Sequence, residues 1–193
     1  MTVTPYQWTV ERYHQAVEAG LFDDQPVELL RGELVIMPPE REPHAYYSVE
    51  TGDYLRQLLG QRAKIRDAKP ITLPNHSEPE PDIAVVKPLG AVYLAHHPYP
   101  EDIFWVIEFS NATLTKDLTL KQAIYAEAGI REYWIVNLRQ PELIVFRDLV
   151  FRDLVFRDSA EGRYQTELHL TEGTVAPLAF PDIQIAVSRL MNA

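Results

Sequence analysis

Three charged residues sit where the surrounding pattern is apolar. Asp82 opens the run Ile83-Ala84-Val85-Val86, Glu108 interrupts IFWVIEFS (Ile103 to Ser110), and Lys121 lies in KDLTLKQAIYAEAG. A buried charge is costly unless it is paired, hydrogen-bonded or metal-bound. Two carboxylates and an ammonium converging on one sheet edge suit metal-assisted phosphodiester cleavage. Asp82 and Glu108 would hold Mg²⁺ (or Mn²⁺), a hard cation that prefers oxygen ligands. The metal would activate water and neutralise phosphate charge. Lys121 would orient the water or stabilise the developing negative charge. The plainer reading of the same residues is a structural salt bridge of Lys121 with Glu108 or Asp82, because ion-pair networks imitate sites.

These roles require particular elements. Strand alternation puts Phe104, Val106, Glu108 and Ser110 on one face. On a helical wheel of about 100° per residue with Asp117 at zero, Lys121 falls near ~40°. That is the middle of an arc formed by Leu118, Leu120, Ile124, Tyr125 and Ala128. Lys116 falls near ~260° on the same wheel, outside the arc, and is expected in water. Asp117 faces inward, but at a helix start an acid is often only a dipole partner or cap. IFWVIEFS and REYWIVNL read as buried strands flanking this helix, which makes a crossover unit in a mixed sheet.

The remaining chain supplies a frame. Thr9 to Ala19 reads as a helix capped by Thr9 and ended by Gly20. PVELLRGELVIMP reads as a hairpin turning at Arg31-Gly32. His44 to Leu59 reads as a helix with Val49, Leu55, Leu58 and Leu59 inward, weakened by Gly52 and stopped at Gly60. AKIRDAKPITLP and PDIAVVKP read as strands, and the tail returns to a β pattern. No internal linker interrupts the chain, so residues 1–193 are expected to form a single α+β (or α/β) domain.

The 193 residues are 46% hydrophobic and 24% charged, with a formal net charge of −10. That charge argues against a generic nucleic-acid coat, which needs a basic surface. Cysteine is absent, which excludes disulfide frameworks and thiolate metal sites. No apolar run approaches the roughly 20 residues of a membrane helix, and the N-terminus lacks a signal-peptide layout. A cytoplasmic protein that avoids membranes is expected.

EPEPDIAVV followed by WVIEFSNATLTKDLTLKQAIYAEAGIREYWIV resembles the Uma-two family of restriction-endonuclease-like domains, part of the wider PD-(D/E)xK nuclease superfamily. PVELLRGELVIMPP followed by His44 fits the same pattern, so the resemblance runs from about Val10 to Leu138. It implies a restriction-endonuclease-like mixed β-sheet flanked by helices, with the site at one sheet end, and Mg²⁺-dependent DNA cleavage. The superfamily's Pro-Asp falls on Pro81-Asp82 and its second acid on Glu108. Its usual lysine, two residues after that acid, is replaced by Ser110. In this family the lysine function resides on the following helix, where Lys121 matches.

Other residues have two readings. Glu28 and Glu33 flank the hairpin and would approach a metal, or are exposed strand acids. His44 would touch substrate or a metal-bound water, or is solvated. Ser110-Asn111-Ala112-Thr113 would offer amides and hydroxyls to a phosphate, or simply turn the chain with Thr113 or Thr115 as cap. His96-His97 point to opposite faces and have no evident third ligand, which disfavours zinc. Arg62, Lys64, Arg66 and Lys69 would rim a DNA groove, or form a solvated strand face. Finally, VFRD recurs three times at a five-residue spacing in residues 145–159. An odd period reverses facing at each copy, so Val145 and Val155 share one face and Val150 takes the other. It reads as a tandem duplication absorbed into an extended strand or hairpin arm, whose apolar cover would come from a second subunit in a homodimer. The rival to a nuclease is a non-catalytic binding or regulatory homodimer on the same fold.

Overall fold

The computed structural model describes residues 5–153 and 160–191. Its centre is a six-stranded sheet in the order β3-β4-β5-β6-β7-β8. The strands are β3 (Lys64–Asp67), β4 (Ile83–Val86), β5 (Ile103–Ser110), β6 (Tyr133–Asn137), β7 (Glu142–Asp153) and β8 (Ala160–Leu170). All neighbours are antiparallel except β5 and β6, which run parallel and are joined by the helical stretch 114–127. This is the mixed sheet and crossover unit expected from the sequence. β5 lies inside the sheet with Trp105, Ile107 and Phe109 in one core cluster and Val106 in the other, which is why it reads as apolar on both faces.

Helix α2 (Glu42–Leu59) covers one face with Leu55 and Leu59. Pro43 in its first turn lets it start two residues before His44. Val49, expected inward, is 58% exposed; Ser48, Thr51 and Gly52 take the buried side instead. A Cβ at Gly52 would stand 2.6 Å from Asp67 Oδ1, so the glycine that weakens the helix permits its close approach to β3. The opposite face is covered by Ile124 and Tyr125 of α4. That helical stretch comprises α3 (Leu114–Lys116), a π-helical turn (Asp117–Lys121) and α4 (Gln122–Glu127).

α1 (Val10–Glu18) is capped by the Thr9 side chain, which accepts from Arg12 N. The hairpin of β1 (Val27–Leu30) and β2 (Glu33–Ile36) turns at Arg31 and Gly32, both with positive φ (50° and 77°), as a two-residue type I′ turn requires. Tyr13 Oη donates to Val27 O at 2.8 Å and fixes α1 to this hairpin. A second small sheet pairs β9 (Thr174–Val175) with β10 (Ile185–Ala186), and α5 (Ser188–Met191) follows.

Two local irregularities change facing. The β4–β5 register shifts between Val85 and Val86, which pair with Trp105 and Ile103. The bulge turns Phe104 to the face opposite Val106, against Phe180 at 4.9 Å. Phe104 therefore does not share the face of Glu108, contrary to strict alternation. In β7, Asp148 has φ 58°. Arg147 before it points toward Glu132, on the Trp134 side. Tyr164, paired with Leu149 after it, packs on Phe146 on the other side. The first VFRD copy thus ends in a backbone twist that resets facing. Val155 and the rest of 154–159 lie outside the described residues.

Candidate active site

The register Ile83↔Ile107 continues to bring Asp82 beside Glu108 at the ends of adjacent strands. Asp82 Oδ2 accepts from Phe109 N at 2.6 Å and meets His44 Nε2 at 3.0 Å. Glu108, 4% exposed, uses Oε1 for both Lys121 Nζ and Tyr125 Oη, each at 2.8 Å. Lys121, 5% exposed, also lies 3.5 Å from Glu28 Oε2. The wheel therefore oriented Lys121 correctly. Glu108 and Lys121 form one ion pair, and the strand register sets Asp82 beside Glu108.

Glu28 joins them from β1 and is 1% exposed; Glu33 stays exposed and outside the group. The hairpin that carries Glu28 is fastened over the helix by Arg31 to Glu127, and the segment before β4 is fastened to the same helix by Asn75 Nδ2, which donates to Ile124 O. Lys116, expected in water, donates to Glu28 Oε1 at 3.0 Å. The π-helical turn explains this. It takes up one extra residue, so everything after it lags by about the ~100° of one residue relative to a uniform wheel. The buried arc thereby shifts toward Lys116.

Ser110 Oγ donates to Asp117 Oδ2 at 2.6 Å, and Tyr133 Oη donates to Asp117 O at 3.3 Å. Both Ser110 and Asp117 are buried, so Ser110 anchors the helix start rather than presenting itself to a phosphate. Thr113 stands at the N-cap of α3 without a side-chain cap bond. His44 is not a solvated histidine. Its ring rests against Phe109 at 6.1 Å, and the Asp82 carboxylate and Glu40 outweigh the effect of burial and raise its pKa.

Burial also pushes the Glu108 carboxyl up to about 8, against the pull of Lys121 and with Asp82 and Asp117 adding to it. Burial opposes the charge of Lys121, but Glu108, Glu28 and Asp117 hold its pKa above the ordinary lysine value. The ammonium therefore keeps its proton, and Glu108 is the carboxyl that also holds one near neutrality.

Two contributors were not singled out from the sequence. Tyr125 lies four residues after Lys121 on the same helical face, a spacing that signals a shared target. Glu80, two residues before Asp82 in EPEPD, is half-buried; burial raises its carboxyl pKa, and Lys121 and Lys69 pull it back. Two of the basic residues read as a groove rim do not line one surface. Arg62 pairs with Asp182 and stacks on Phe180, whereas Arg66 reaches Pro70 O and lies over Tyr93.

The donor set fits a hard divalent cation. Asp82 Oδ1 and Glu108 Oε2 receive no protein hydrogen bond among the described residues, and buried Glu28 Oε2 has no hydrogen-bond partner there. Asp82 and Glu108 thus each spend one oxygen on the protein and leave the other for a ligand, whereas both oxygens of Glu28 face lysines.

No helix among the described residues is long and apolar enough to cross a membrane. No curated protein matches the sequence. The fold is similar to the crystal structure of a "putative nuclease belonging to DUF820" from Anabaena variabilis, with a TM-score of 0.63 and 14% identity over 86% of this chain and 90% of that one. The family model described as "Putative restriction endonuclease" matches residues 10–188, so this chain belongs to the Uma2 family.

Proposed function

We propose that the protein is a metal-dependent endonuclease that hydrolyses DNA phosphodiester bonds, with Asp82 and Glu108 as Mg²⁺ (or Mn²⁺) ligands and Lys121 acting at the phosphate. The observation that carries this reading is the pairing of two strand-end carboxylates, each with one oxygen not bonded to protein, around a buried lysine. When bound, the ion would supply an activated water and neutralise phosphate charge. The chain's own residues do the rest. His44 and the Phe109 amide orient Asp82. Tyr125 and Lys121 orient Glu108. Lys116 neutralises Glu28, which leaves Lys121 to Glu108 and the incoming phosphate. Ser110 and Asp117 set the helix that carries Lys121.

The reading includes one domain over residues 1–193, a cytoplasmic location and a homodimer formed through the β7–β8 arm. Support for the dimer comes from β8, which ends the sheet, and from Phe151 on β7, 50% exposed. A second reading, a non-catalytic binding or regulatory homodimer, is favoured by a different observation. The chain's net charge is −10, and Arg62 and Arg66 do not line one groove.

Calorimetric titration with Mg²⁺ and Mn²⁺, on wild type and on Asp82→Ala with Glu108→Ala, tests the first reading. Binding in wild type that vanishes in the double variant supports it, and metal-dependent nicking of plasmid DNA then tests the reaction. No binding in wild type, with or without DNA, favours the second reading.

A further inference from the structure

A second group of ligating side chains lies away from Asp82 and Glu108. His14 from α1, Glu78 from the segment before β4 and His97 from the loop before β5 each offer one ligand atom within 4.8 Å of the others. His14 Nε2 lies 2.7 Å from Glu78 Oε1. The Glu78 carboxylate is held from behind, with Thr72 Oγ1 donating to Oε2 at 2.6 Å and its backbone amide donating to Leu29 O at 2.7 Å. His97 approaches edge-on, its ring 6.3 Å from that of His14 at 79°. His96 lines the same cleft, stacked on Tyr99 at 4.4 Å. The expectation that His96-His97 lack further ligands fails because the partners come from segments 83 and 19 residues earlier in the chain.

We infer that His14, Glu78 and His97 form a second metal site, for a divalent transition ion such as Zn²⁺. Two imidazoles and one carboxylate suit Zn²⁺ better than Mg²⁺, which prefers all-oxygen shells. Three protein ligands leave one coordination position, and it faces a cleft of about 870 Å³ lined by His14, His97, Thr72, His76, Tyr93 and Tyr99. Ligand atoms in a tetrahedral zinc shell stand roughly 3.4 Å apart, and these three lie within 4.8 Å of one another. The buried glutamate is already oriented by Thr72, as carboxylate ligands commonly are. The ion would clamp α1 and the 90–100 loop to the segment that leads into Asp82, without using any residue of the proposed active site.

Cobalt(II) is the probe, because its visible spectrum reports nitrogen and oxygen ligation directly. Full-length wild type and the Asp82→Ala, Glu108→Ala variant should each bind one equivalent with four-coordinate absorption, displaced by Zn²⁺. His97→Ala should lose affinity at least tenfold while its melting temperature without metal matches wild type. Zn²⁺ should raise the melting temperature of wild type and not of His97→Ala. In wild type alone, the imidazole ¹⁵N resonances of His14 and His97 should shift with Zn²⁺, so the test survives a variant that fails to fold. No cobalt spectrum, a spectrum unchanged in His97→Ala, or one lost in Asp82→Ala, Glu108→Ala would overturn the assignment. The last result would place the transition ion at the first site.

Discussion

Replacing Glu108 by glutamine separates a poised proton from an ordinary internal salt bridge. The amide keeps the shape, and its carbonyl oxygen can still accept from Lys121 Nζ and Tyr125 Oη. Lys121 keeps Glu28 at 3.5 Å. What disappears is a titration. Burial raises the Glu108 carboxyl from 4.5 to about 8 in the folded chain. Between those values the folded chain holds about one proton more than the unfolded chain. The stabilisation linked to it is complete below the unfolded value and is lost as pH rises through about 8. Each pH unit in that window removes ~1.4 kcal/mol, on the order of 5 kcal/mol in all. Urea-denaturation free energies of wild type and Glu108→Gln should differ by a constant packing increment at acid pH. They should then diverge as pH rises, wild type losing stability and the variant not, until the gap levels off. Profiles that run parallel from acid to alkaline pH would refute the reasoning, because Glu108 would then be ionised throughout beside Lys121. Saturating Mg²⁺ should flatten the wild-type slope by displacing the proton and should leave the variant unchanged.

Lys121→Met should abolish DNA cleavage and retain Mg²⁺ binding by calorimetry; breaking the buried pair should lower urea-denaturation stability by ~3–5 kcal/mol. His44→Gln should weaken Mg²⁺ binding by about 10–100-fold, as loss of a group that orients a metal ligand does. Gly162→Ala should destabilise the fold by ~1–3 kcal/mol in urea melts, because the new Cβ would collide with the Ala126 carbonyl oxygen on the crossover helix. Deleting one five-residue copy from the VFRD repeat should reduce the mass measured by light scattering from dimer to monomer, and an unchanged mass together with unchanged stability would remove the arm from the interface.

Regular elements were legible because their residues obey a period. The crossover helix, its two flanking strands and the hairpin at Arg31-Gly32 all follow from alternation, apolar arcs and turn chemistry. Departures from the period were not legible. A bulge redirected Phe104, and a π-helical turn brought Lys116 to Glu28. Neither has a marker residue in the sequence. Contacts between distant segments were also hidden. Periodicity says which way His44 or His14 faces on its helix, not that Asp82 or Glu78 waits 38 or 64 residues away. Lys121 succeeded because its partner lies on the adjacent strand of the same crossover unit. Val49 failed because Gly52 and Thr51 take the close-packed side of α2, where a larger side chain would hold the helix off β3.

The position two residues after Glu108 explains why the buried lysine comes from the helix. Ser110 stands there fully buried and is bonded to Asp117, the first residue of the π-helical turn. A lysine at 110 would lose that anchor and compete with Lys121 for the same carboxylate. With serine there, the strand fixes the helix start, the wider turn brings Lys116 and Lys121 inward together, and the hairpin lowers Glu28 between them. The cluster then holds four carboxyl groups, Glu28, Asp82, Glu108 and Asp117, against two ammonium groups, Lys116 and Lys121. His44, bonded to Asp82, adds a third positive group when protonated, so with every carboxyl ionised one negative charge is uncompensated. A proton on Glu108 cancels that excess. Burial and the neighbouring Asp82 and Asp117 carboxylates therefore act on the same residue, and both raise the Glu108 carboxyl.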